Sequence, residues 1–339
     1  MTTAPTLEDV ARAAGVSTAT VSRCLNMPDR VVEKTRARVM KAVSDLNYTP
    51  NFGARVMAAK RTQTIGAIIP TMENAIFARG IQAFQETLHA KGYTLLVASS
   101  AYDPALEEQE IKALVARGAD GLLLIGQDRD GSVYDYLARQ QVPTLLAWTH
   151  GADAPCPTAG FDNRAAMRGL AEVVLGKGHR RLGMISAPTA TNDRARQRVA
   201  GVRDAMAAAG LDANALALVH APYDIDSAST AFEGLMGQSP RPTVVLCGND
   251  VQAAGAIHQA RKMSLAVPED VSITGFDDMD IAPVLSPPLT TVAVPHRAMG
   301  QRAARTLVAM VEGEDMQPDA PLATQVILRA SLKALPQAD

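Results

Sequence analysis

The stretch TLEDVARAAGVSTATVSRCLN, Thr6–Asn26, decides how the chain begins. Leu7, Val10, Ala11 and Ala14 recur at helical spacing, Gly15 stops that helix, and Val16 with Ser17 opens a second one. Ser17 suits an N-cap, and Val21 with Leu25 supplies the inward stripe of the second helix. Helix, glycine turn and helix in that order predict a helix-turn-helix. Thr18, Ala19, Ser22 and Arg23 are left on its outward side. Side chains at the start of such a second helix reach base edges in the major groove, hydroxyls bond phosphates, and an arginine forks onto guanine. A plain amphipathic helix pair with solvated hydroxyls fits the same residues.

Working outward, VVEKTRARVMKAVSDLN predicts a third helix with Val32, Val39, Ala42, Val43 and Leu46 on one side and Lys34, Arg36, Arg38 and Lys41 on others. In the following YTPNFGARVMAAKRTQT, Pro50 and Gly53 break regularity, and Ala54, Met57 and Ala58 line one side of a short helix or belong to a plain tether. Residues 1–61 hold ten Lys and Arg against five Asp and Glu, a net +5, which leaves −7 on the remainder of a chain whose total is −2. A basic head on an acidic body is the electrostatic footprint of a nucleic-acid reader.

From Thr64 short apolar strands alternate with amphipathic helices: TIGAIIP, TLLVASS, GLLLIG and TLLAW, then, after Gly160-Phe161-Asp162-Asn163, RLGMIS, ALALVH, TVVLCG and VSITGF. That alternation predicts an α/β body of two parallel, doubly wound sheets. Ligands in such folds sit at the carboxyl ends of strands, so two facing sheets make a cleft.

Several classes are excluded. With 20% charged and 47% hydrophobic residues the chain is globular rather than disordered. No apolar run is long enough to span a bilayer, and Met1–Pro5 has no signal-peptide pattern, so a cytoplasmic location is expected. Cys24, Cys156 and Cys247 lie far apart, which argues against a disulfide framework or a zinc site. The six histidines are scattered singly, and neither G-x-G-x-x-G nor G-x-S-x-G is present, so no catalytic residue, metal or cofactor is assigned.

Taken together the residues resemble the lactose-repressor/galactose-repressor (LacI/GalR) family of bacterial transcription regulators. The likeness runs from about Thr6 to Ser331 and is carried by TLEDVARAAGVSTATVSR, NMPDRVVEKTR, LNYTPN, GFDN at 160–163, KGHRRLGMIS at 177–186, RVAGVRDAM at 198–206, ND at 249–250, VPEDVSITGFDD at 267–278 and PPLTTV at 287–292. It implies a helix-turn-helix headpiece at 1–50, a hinge at 51–63, and a two-lobed effector domain like a periplasmic binding protein. The first lobe would comprise 64–161 and 294–323, and the second 162–293 and 324–333. It also implies a homodimer that represses by binding double-stranded operator DNA, with operator affinity set allosterically by a small molecule in the cleft. A two-lobed carrier of small molecules would look the same from Thr64 onward, but the basic head and the absent leader speak against one.

By the same resemblance Thr18, Ala19 and Arg23 read bases, while Ser17, Thr20, Ser22, Asn26, Thr35, Tyr48 and Asn51 contact phosphate. Ala54 and Met57 belong to a hinge helix in the minor groove, where Met57 stands at the wedging position that leucine usually fills. Val32 stands where a serine would cap the third helix. In the cleft the candidates are Phe77, Ser99, Trp148, Asp162, Asn249 and Asp277, with core packing the rival reading for Phe77 and Trp148. Arg198 matches an effector-contacting arginine, and Arg194 and Arg196 join it at the start of one helix. Three cations there oppose the helix dipole, which an anion would relieve. The expected effector is therefore a sugar acid or other small carboxylate rather than a neutral sugar, unless Asp193 as N-cap, or pairing with Asp224 and Asp226, neutralises the cluster. The tail LRASLKALPQAD has no heptad run, so a dimer is expected rather than a tetramer.

Overall fold

The computed structural model describes residues 4–49, 61–73, 75–151, 153–315 and 320–336. It divides into two compact units, 1–62 and 63–339. The expected hinge residues Asn51, Ala54 and Met57 lie outside the described residues.

Among its described residues the first unit holds three α-helices, α1 (Leu7–Ala14), α2 (Thr18–Asn26) and α3 (Glu33–Asp45). Thr6 and Asp9 form a reciprocal capping box at the start of α1, Asp9 N–H donating to Thr6 Oγ1 and Thr6 N–H to Asp9 Oδ2. Gly15, at φ 61°, ends α1 in the left-handed region that glycine enters without strain. The Ser17 hydroxyl then accepts from Thr20 N–H and starts α2. Val10, Ala14, Val21, Cys24, Val39, Ala42 and Tyr48 form the core. Val32 does not share it. It is 76% exposed and stands at the N-cap of α3 with no side-chain cap, because valine carries no acceptor for the free N–H groups of the first turn.

The second unit holds both sheets. The first sheet is parallel, in the order β2 (Thr94–Ser99), β1 (Thr64–Ile69), β3 (Gly121–Ile125), β4 (Thr144–Ala147), β5 (Thr158–Ala159). Its central strands β1, β3 and β4 are buried at every position because both faces are covered. Ile65, Ala67, Leu123 and Leu145 face α4 (Ala75–Ala90), while Ile68, Leu122, Leu124 and Leu146 face α5 (Pro104–Ala116) and α6 (Gly131–Arg139). The second sheet runs β7 (Ala217–His220), β6 (Leu182–Ser186), β8 (Val244–Cys247), β9 (Ser272–Thr274), also parallel. Its faces are covered by α7 (Asn163–Gly176) with α8 (Asp193–Ala208), and by α9 (Ile225–Met236) with α10 (Asp250–Lys262).

Three elements escape the alternating pattern. The strands β10 (Thr291–Ala293) and β11 (Gln325–Ile327) pair antiparallel where the chain passes between lobes. Between them α11 (His296–Glu312) returns to the first lobe and packs on α4. The strand ends of both sheets thus converge on one cleft.

Candidate functional site

On the headpiece, Thr18, Ala19 and Arg23 are exposed on α2, opposite the buried Val21 and Cys24. The helical period places these residues outward by the same arithmetic that sends the apolar pair inward. Ser17 and Thr20 are already engaged with each other, their hydroxyl oxygens 3.0 Å apart. Thr35 is half-buried in the first turn of α3, and Tyr48 is buried in the core, so its ring serves packing as well as any phosphate contact. The side chain of Asn26 is not among those described.

The cleft gathers strained backbone. Ala101 and Tyr102 after β2, Trp148 after β4, and Asp277 with Asp278 after β9 all have positive φ, 49°, 60°, 57°, 106° and 52°. Such conformations in non-glycine residues collect where a ligand site demands a particular side-chain direction. Arg198 is the centre of the arrangement. It is 5% exposed, its Nε donates to Asn163 Oδ1 at 2.9 Å, and its Nη1 donates to Gly248 O at 2.5 Å. Its guanidinium lies 3.8 Å from the centre of the Phe276 ring. Neither hydrogen bond uses Nη2.

Around it stand buried polar atoms with no partner: both carboxyl oxygens of Asp277, Nδ2 of Asn249, and both ring nitrogens of His296. His296 Nε2 is 3.7 Å from Asp277 Oδ1, beyond hydrogen-bond reach. Burial pushes the Asp277 carboxyl up to about 7, although the Arg198 charge pulls it the other way. Burial likewise holds His296 down to about 4, with Arg198 and Arg79 adding to the effect. Unpaired buried polar groups are costly, so a cluster that keeps several of them is suited to a ligand with hydroxyls.

Comparison with known proteins places the whole chain. Residues 6–51 match the family described as bacterial regulatory proteins, lacI family, and residues 171–332 match the periplasmic binding protein-like domain. The chain is 32% identical to the HTH-type transcriptional repressor PurR of Photobacterium profundum, over 97% of this chain and 99% of that protein. It is 32% identical to the HTH-type transcriptional repressor CytR of Escherichia coli K12, over 98% of each.

The chain belongs to the LacI family.

It is a transcriptional repressor with a DNA-binding domain and a ligand-binding domain. Among solved structures, the Lac repressor dimer bound to operator and the anti-inducer ONPF superposes with a TM-score of 0.88 at 25% identity, covering 98% of this chain and all of that one. The regulator CelR in complex with cellobiose gives 0.72 at 28% identity, covering 96% and 99%.

Within this LacI-family frame the sequence-predicted cleft residues separate. Arg198, Asn249 and Asp277 come together, buried. Phe77 and Trp148 meet edge to face at 5.4 Å, and both lie in the core beside α4 and α11. Ser99 is half-buried and reaches only Pro70 O, at 3.5 Å. Asp162 is exposed and caps α7, its Oδ1 accepting from Ala165 N–H, while the next residue, Asn163, points inward to Arg198 and to Trp148 O. Capping explains why Asp162 stays out of the cleft, since its side chain is spent on the first turn of its own helix.

The arginine cluster is neutralised differently from either sequence expectation. Asn192, not Asp193, caps α8. Asp193 pairs with Arg194 at 3.0 Å, and Arg196 forms a two-pronged pair with Asp128 at 2.5 and 2.8 Å. Asp224 is occupied in capping α9. Reasoning from sequence missed Asn163, Phe276, Tyr102 and His296. For three of them the signal was present, because each stands directly at a strand end or crossover already singled out.

Proposed function

We propose that this repressor acts as a homodimer on a double-stranded operator in the cytoplasm, and that its operator affinity is set by a small polyhydroxylated effector bearing an acidic group, a sugar acid or related organic acid, bound between the lobes. The observation that carries the reading is Arg198. It is a buried cation whose hydrogen bonds go to an amide and a carbonyl, while Arg194 and Arg196 already hold carboxylates. A carboxylate of the effector would take the uncommitted Nη2, and hydroxyls would pair with Asn249 Nδ2 and the Asp277 carboxyl. Effector binding then alters the angle between lobes and with it the presentation of paired headpieces to DNA. No described helix is long and apolar enough to cross a membrane, in keeping with a regulator that works on DNA.

The test is a thermal-shift screen of the full chain against neutral sugars, sugar acids and simple organic acids, with Arg198→Ala beside the wild type. Stabilisation by acids and its loss in Arg198→Ala is the expected result. Because the Asp277 carboxyl titrates at about 7, an acidic ligand should bind more tightly at pH 6 than at pH 8, as protonation removes a like charge and supplies a donor. Stabilisation by uncharged sugars alone would refute the acidic effector.

A further inference from the structure

Two of the arginines expected to hold an anion face the other lobe instead. Arg196, on α8 of the second lobe, grips Asp128 in the loop after β3 of the first lobe with both guanidinium prongs. The neighbouring Asp193 carboxylate accepts from Gln127 N–H at 3.1 Å, and Arg194 Nη1 donates to Ile125 O at 3.2 Å. Three of the four residues 125–128, Ile125, Gln127 and Asp128, are thus bound by the first turn of one helix 66 or more positions away.

The receiving loop is stiff. Arg129, almost wholly buried, donates to Ile125 O, Gly126 O and Glu107 Oε1 and fixes the loop from behind. Gly126 stands at φ 72°, and a Cβ there would run into Arg194 Nη1 and Asp193 Oδ1. Those two side chains are 9% and 1% exposed, so any group that displaced them would break the contact rather than swing it aside.

We infer that Gly126, Asp128, Asp193, Arg194 and Arg196 form a clasp that holds the lobes against each other, and so act as positioning residues that set effector affinity. The inference rests on the reading of this cleft as the effector site. A ligand that needs the closed form binds with an apparent affinity reduced by the fraction of molecules that are closed, and the clasp raises that fraction. The outer pair, Arg196 with Asp128, is 46% and 24% exposed, so it is weakened by salt, whereas the inner bonds of Asp193 and Arg194 are not. Arg79 and Asp280 form a further exposed pair between the lobes at another edge of the cleft.

Hydrogen exchange on the ligand-free, full-length protein tests this without knowledge of the effector. The amide of Gln127 is bonded only across the clasp, so a peptide spanning 121–131 reports its opening. In wild type that peptide should be protected at low salt. Asp128→Ala and Gly126→Ala should each speed its exchange about fivefold or more, and the charge-reversed pair Asp128→Arg with Arg196→Asp should restore protection. Peptides from α1 and α10 should be unchanged in every variant, which separates opening from misfolding. Equal exchange in wild type and both single variants, or failure of the reversed pair to restore protection, would overturn the clasp. Failure of the acidic-effector reading would show only in the ligand screen and would leave these rates untouched.

Discussion

Asp277 offers a test that joins stability to effector binding. Its carboxyl is buried, has no hydrogen bond to either oxygen, and titrates at about 7 against an ordinary 3.8. The folded protein therefore binds this proton more tightly than the unfolded chain does. The stability contributed by the group is complete below pH 3.8 and is lost as pH rises through 7. A difference of about 3 units at about 1.4 kcal/mol each sets the cost of keeping the carboxylate ionised at pH 8 at about 4 kcal/mol. Asp277→Asn removes that cost at nearly constant shape. The attraction to Arg198 is already contained in that shift, so the gain at pH 8 is at most about 4 kcal/mol. Urea unfolding at one protein concentration should show the variant more stable than wild type at pH 8, with the gain fading by pH 4.5. Stabilisation by an acidic effector should persist at pH 8 and lose its pH dependence, because the amide, like the protonated carboxyl, is neutral and carries a donor. Equal midpoints at pH 8, or a gain that persists unchanged in acid, would show that the carboxyl is not held as described.

Arg23→Ala should weaken operator binding by about 1–3 kcal/mol and relax base preference in an anisotropy titration, with effector binding intact; unaltered specific binding would remove α2 as the reading helix. Val32→Ser adds the missing cap to α3 at an exposed position, so amides in the first turn of that helix should exchange more slowly, reflecting a gain of about 0.5–2 kcal/mol. Gly80→Ala drives a methyl into the six-membered ring of Trp148, and overpacking of about 1–3 kcal/mol should lower the unfolding midpoint. Trp148 is the sole tryptophan, so the same variant should shift the intrinsic emission, and an unchanged spectrum would contradict the packing.

Much of this protein is legible because its periods are local. A 3.6-residue repeat with Gly15 and Ser17 at the turn is enough to write the helix-turn-helix, and short apolar runs alternating with helices are enough to write two doubly wound sheets. The chain's likeness to the LacI family rests on those same contiguous motifs. The elements that stayed hidden are those whose existence depends on distant partners. β5, of two residues, and β10 and β11, of three each, carry no period of their own and form only where the chain crosses between lobes. α11 shows Met299, Ala303 and Leu307 at helical spacing, but its place on the first lobe is set by packing on α4. The arginines show the limit most plainly. Local order places Arg194, Arg196 and Arg198 at one helix start and suggests a shared anion. Tertiary structure divides them, because Asp128 lies 68 positions from Arg196 and meets it only when the lobes close, while Arg198 is turned toward Asn163 and a backbone carbonyl. Charge pairing falls off over a few ångströms of space, a distance that sequence separation does not encode.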